Sequence, residues 1–182
     1  WSTTLAGGQG FFWLPDYPLT DATRVASTDF DPLTDDPLID CALKGMPAIM
    51  SAPYPLEFID NGDTISLHLE EYDTVRTIYL DEQASAAPIP SILGHSMGHW
   101  ENETLVVETT DVNWGYFRGN GEYPTSDDIE FMERFTPIEN GSRLRYEMTV
   151  TDPATFTEPV IMGKTWVWLP DVNVEPYECI TG

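Results

Sequence analysis

The chain is short of positive charge. Lysine and arginine together number 8 against 31 aspartates and glutamates in 182 residues, a formal net charge of -23. Such a balance repels phosphate backbones and anionic headgroups, so a nucleic-acid partner is excluded on electrostatic grounds. Long apolar runs are missing too. Nothing approaches the roughly 20 residues that a membrane-crossing helix requires, and membrane insertion is not expected. Cysteine occurs twice and histidine three times, which leaves no CxxC motif, and neither a phosphate-binding glycine loop nor a dinucleotide fingerprint is present. No cofactor is therefore expected. Amphipathic helical periodicity and repeats of roughly 20–50 residues are also wanting.

What is present divides into two stretches sharing one expected core. Residues 1–55 hold Pro15, Pro18, Pro32, Pro37, Pro47, Pro53 and Pro55, which interrupt every candidate helix or central strand. This reads as an extended arm. It carries Phe11, Phe12, Trp13, Leu14, Tyr17 and Phe30, too much aromatic surface to remain in water. The arm is expected to dock either on the rest of its own chain or on a neighbouring subunit.

From Leu56 the hydrophobic period changes to two. Residues 56–59 meet the turn Asn61-Gly62-Asp63, after which Ile65, Leu67 and Leu69 alternate with polar neighbours, the pattern of a half-buried hairpin. Strands are expected at 75–80, Thr104–Thr110, 129–136, Arg143–Thr151 and 160–169, with a short closing one at 174–179. Residues 84–90 form a small-residue loop, and 111–128 a long aromatic loop of the kind that serves as a lid or contact surface. About eight strands without a helix define an all-β chain. The expected architecture over 56–182 is a closed antiparallel β-barrel of the lipocalin kind, which leaves no exposed edge; a two-sheet β-sandwich is the alternative.

The chemistry-bearing stretch is GHSMGHWENETLVVETT at 94–110. His95 and His99 lie four apart beside glycines and, in extended chain, on the same side. Imidazoles are common metal ligands, with His68, Glu70, Glu101 or Asp81 to complete a set, but two ligands do not make a site and no metal is expected. Gly94-His95-Ser96-Met97-Gly98 matches the serine-hydrolase elbow by letter and lacks its strand-turn-helix setting. Two carboxylates fall on inward positions: Glu71 continues the face of Ile65, Leu67 and Leu69, and Glu133 stands between Phe131 and Phe135. Inward carboxylates need partners, and Arg76, Arg134 and Arg145 are candidates. The resulting pairs are structural pins or, beside a histidine, an acid-base device; His95, His99, Glu71, Glu133 and Arg76 are the catalytic candidates.

The order Pro53-Tyr54-Pro55 with Glu57, EYDTVRTIYLD at 71–81, GHSMGHWENETLVVETT at 94–110, ERF at 133–135 and Asp152-Pro153 resembles a large, poorly characterised family of exported bacterial proteins. The similarity runs over about residues 40–180 and implies an exported, strand-rich domain without a transferable activity. A chain that opens at Trp1 fits a processed precursor, secreted to the periplasm or outside the cell. Cys41 and Cys179 are then expected to form a disulfide, with two unrelated buried thiols as the rival reading.

Three functions follow as expectations. The first is a secreted β-barrel module binding a small molecule or partner-chain segment, with Trp100, Trp114, Tyr116, Trp166 and Trp168 as its apolar walls. The second is an acid-base or metal-assisted enzyme using the His95/His99 region. The third is a self-assembling extracellular subunit, an oligomer or fibre built through residues 1–55.

Overall fold

The computed structural model of the chain describes residues 1, 12–31, 33–38, 41–81 and 87–179. Phe11, Pro32 and the first part of the 84–90 loop lie outside them. Eight strands occur among the described residues: β1 Leu56–Asp60, β2 Thr64–Leu69, β3 Thr74–Tyr79, β4 His95–Glu101, β5 Thr104–Thr110, β6 Glu130–Ile138, β7 Arg143–Thr151 and β8 Val160–Val167.

Their order in the sheet follows their order in sequence. Every neighbouring pair is antiparallel except β3 and β4, which run parallel through Ile78↔Ser96 and Tyr79↔Met97. The sheet curls strongly but stays open, with β1 and β8 unpaired at its two ends. The expected closed antiparallel barrel and the alternative sandwich are thus both replaced by one mixed half-barrel. β4 enters in the same direction as β3, which a tight hairpin cannot achieve, and the connection between them is correspondingly long enough to return to the end of the sheet where β3 begins.

Alternation along each strand decides what fills the concave face. Leu67 and Leu69, Ile78, Leu105 and Val107, Phe131 and Phe135, Leu144, Tyr146, Met148 and Val150, and Met162 and Trp166 are all buried there. Burying side chains of this size, at roughly 1.5–3 kcal/mol each, is the main favourable term.

The arm supplies the cover that a closing strand pair would otherwise give. Trp1 and Leu56 exchange main-chain hydrogen bonds of 2.7 and 2.8 Å, and the Trp1 ring lies 5.0 Å from that of Trp168, just past β8. Phe12 stacks 6.1 Å from Tyr146, and Lys164 of β8 donates to the carbonyl of Ala52 at 3.1 Å. The gap between the end strands is therefore bridged from the arm side.

Three local expectations are corrected. The arm holds a helix, α1 (Asp21–Thr28), capped by the Thr20 hydroxyl at 3.2 Å from the Thr23 amide; between Pro18 and Pro32 no proline stands to prevent it. The histidine stretch, for which the sequence pattern predicts no strand, is itself a strand, β4. Residues 174–179 form no strand, because carboxylates bind this segment in place of a ladder: Glu70 accepts from the Glu175 amide at 3.1 Å and Asp73 from the Tyr177 amide at 3.0 Å. The Cys41–Cys179 disulfide anchors this strap.

Candidate functional site

One end of the half-barrel is built from hairpin turns, and there the concave face opens. The β1–β2, β4–β5 and β6–β7 turns each stop short of sealing it. The walls are Trp1, Phe58, Ile65, Trp100, Leu105, Phe135, Pro137 and Leu144, with Asp60 at the rim, around a cavity of ≈ 250 Å³. Strand parity explains this membership. Leu56, Phe58 and Asp60 share one face of β1, and Ser96, Gly98 and Trp100 share one face of β4. Leu105, opposite Trp100, and Phe135, opposite Leu105, continue the row. Trp100 is 55% exposed, a large indole standing at the mouth with no neighbour burying its outer half.

The floor of this cavity is a layer of packed aromatic rings. Phe135 packs 5.3 Å from Phe58 and 4.8 Å from Tyr146, and Tyr146 lies 5.0 Å from Trp166. Beneath that aromatic layer is a wholly buried polar network. Arg76 grips Glu133 with two parallel bonds, Nη1 to Oε1 at 2.9 Å and Nη2 to Oε2. Its Nη2 also donates to Thr109 at 2.6 Å and its Nε to Ser96 at 3.0 Å. The Tyr146 hydroxyl donates to Glu133 at 2.7 Å. Burial alone would disfavour the Arg76 charge, yet Glu133 more than offsets this and raises its pKa. Burial, then the Glu133 charge, pushes the Tyr146 hydroxyl well above its usual range. A network so fully satisfied ties β3 to β5, β6 and β7.

A second buried charge group lies toward the arm. Lys44 pairs with Glu71 at 2.8 Å, while Glu71 Oε2 is buried without a hydrogen-bond partner among the described residues. Lys164 is sandwiched against Trp166 and Phe12, its Nζ 4.7 and 5.6 Å from the ring centres. Desolvation lowers its pKa to about 7; the Glu71 charge opposes this and Lys44 adds to it.

These placements sort the residues singled out above. Of the proposed apolar walls only Trp100 lines the cavity. Trp168 stands behind Trp1, Trp166 is wholly buried in the core, and Trp114 with Tyr116 belongs to the 111–128 loop. That loop packs inward, with Val112, Trp114 and Phe117 buried and Phe117 edge-on to Tyr17. His95 and His99 point to the convex side, since Ser96 and Gly98 between them face inward and are buried. His95 stacks 5.3 Å from Tyr79 beside a second recess of ≈ 280 Å³, more polar in its lining, and exposed His99 lies 3.5 Å from Glu101. Strand parity thus puts both imidazoles on the face opposite the Glu133 carboxylate, while Arg76 lines the same recess as His95. His68 is 3.4 Å from Glu57, and no group of three metal-ligating side chains occurs among the described residues. Ser96 is buried within a strand, not exposed on a strand-to-helix turn. Arg134 and Arg145 pair with Glu101 and Glu147 at the surface.

Asp60, Phe58 and Lys164 were readable and passed over. The first two continue the inward parity of Leu56, and Lys164 stands between Met162 and Trp166. Trp1 and Lys44 carry no such signal, because their positions depend on how the arm returns to the sheet.

Fold and cavity together describe a curled β-sheet scaffold with an aromatic-walled opening at one end. No protein-family model, curated protein or solved structure matches the chain.

Proposed function

We propose that the protein is a binding module that takes a small, largely apolar ligand into the hairpin end of its half-barrel. The observation carrying this reading is the cavity walled by Trp1, Phe58, Trp100, Leu105 and Phe135. A concave, mainly apolar recess with few polar groups is the usual form of a small-molecule site, and β-barrel mouths are a common place for one. The deep polar groups serve it by holding the floor: Arg76 and Glu133 satisfy each other, and Phe135 rests on the layer above them. The alternative of acid-base catalysis lacks this support, since both imidazoles lie across the sheet from Glu133 and no hydrogen bond or ion pair joins either to Glu71 or Glu133 among the described residues. The Cys41–Cys179 bridge supports an oxidising, extracytoplasmic setting for the module, in keeping with the resemblance to exported proteins.

Titration with small aryl-alkyl compounds, followed by indole fluorescence and calorimetry, tests the proposal. Trp100→Ala removes an exposed wall without opening the core, and at least a ten-fold loss of affinity is expected with the melting temperature nearly unchanged. Equal affinity in the variant, or no binding to the parent chain, would remove the proposal.

A further inference from the structure

We infer that the ligand of this cavity is an organic cation, an ammonium group carried on an apolar or aromatic body. The inference rests on the binding reading above and adds the charge of the ligand. Among the nine described residues around the cavity there is no lysine, arginine or histidine, and Asp60 alone of them is ionisable through its side chain. Its Oδ1 accepts the Gly62 amide at 2.8 Å, which fixes the carboxylate at the rim while leaving it further acceptor capacity. Four aromatic rings, Trp1, Phe58, Trp100 and Phe135, form the adjoining walls. A cation is attracted to both features, by charge to the carboxylate and by the ring quadrupole to the indole faces.

The surroundings work in the same direction. Asp63 and Glu103 stand on the turns around the mouth, while Arg134 and Arg143 beside it are paired with Glu101 and Glu139 at 2.7 and 3.0 Å. With a net charge of -23, the field outside the cavity concentrates cations and repels carboxylates. A fatty acid or other anionic amphiphile would leave its charge beside Asp60 with no cationic side chain in the cavity wall, and the ammonium of Trp1, itself a wall residue, is engaged by the Leu56 carbonyl at 2.7 Å. An ammonium headgroup would lie at the rim with its body between Phe58, Trp100 and Leu105.

Three probes of matched shape test this: 2-phenylethylammonium, 2-phenylethanol and 3-phenylpropionate. Each is titrated calorimetrically into the full chain and into Asp60→Asn, which keeps an amide oxygen to accept the Gly62 bond. The ammonium is expected to bind the parent chain at least ten-fold more tightly than the alcohol, with the carboxylate weakest. In Asp60→Asn the ammonium and alcohol affinities are expected to fall within about two-fold of each other, the alcohol unchanged. Equal binding of ammonium and alcohol to the parent chain would overturn the charge inference and leave the cavity reading standing. An ammonium preference surviving in Asp60→Asn would overturn the assignment to Asp60 and implicate the overall field. Failure of all three probes would overturn the cavity reading itself.

Discussion

Three buried ionisable residues set testable limits at the scale of single side chains. Arg76 and Glu133 are fully buried and mutually satisfied, so removing one charge strands the other in a low-dielectric interior. Glu133→Gln is expected to cost about 3–5 kcal/mol in chemical denaturation, while the double change Arg76→Met with Glu133→Leu should recover most of that loss. Single changes costing under about 1 kcal/mol would show that the pair holds nothing together. Lys164 behaves differently, because its folded pKa of about 7 lies below the ordinary 10.5. Between those values the unfolded chain binds more protons than the folded one. Stability should therefore rise as pH increases from about 7 toward 10, by up to a few kcal/mol. Below pH 7 the cost of charging the buried amine is fully present. Lys164→Met should abolish that rise, and parallel stability profiles for the two proteins would contradict the assignment.

At the scale of strands and connections, much of the fold was legible and the exceptions have physical causes. The Asn61-Gly62-Asp63 turn with Ile65, Leu67 and Leu69, and the long alternation from Leu144 to Val150, state their secondary structure locally. Inward Glu71 and Glu133 were likewise readable, since a period of two assigns every residue to a face. β4 was hidden because two of its three inward residues are Ser96 and Gly98, too small to read as an apolar face beside Trp100. Gly98 is needed there: a Cβ would lie 2.6 Å from the Ile78 side chain across the parallel junction. Openness of the sheet was not legible, because the arm that substitutes for closure is distant in sequence. The C-terminal strap belongs to this scale as well. Its anchor closes a loop of 138 residues, worth up to roughly 4–5 kcal/mol in the chain-entropy model. Cys41→Ser with Cys179→Ser should lower stability by a comparable amount and speed amide exchange at Glu175 and Tyr177. Unchanged exchange there would show that Glu70 and Asp73 hold the strap alone.

For the molecule as a whole, the two ends of the half-barrel have different fates. The end away from the hairpin turns is filled by the arm, the 111–128 loop and the residues before β1, with Tyr17, Phe117 and Phe156 packed edge to edge. The hairpin end is left with Trp1, Trp100 and Asp60 around a cavity. Placing all three at one opening is what the sequence could not announce, since they come from segments far apart along the chain. The most direct test is an amide chemical-shift titration of the labelled full chain with 2-phenylethylammonium. Saturable shifts should cluster at Phe58, Asp60, Ile65, Trp100, Leu105 and Leu144. Shifts centred instead on Tyr79, Ile89 and His95 across the sheet, or no saturable shifts at all, would contradict a binding site at the hairpin end.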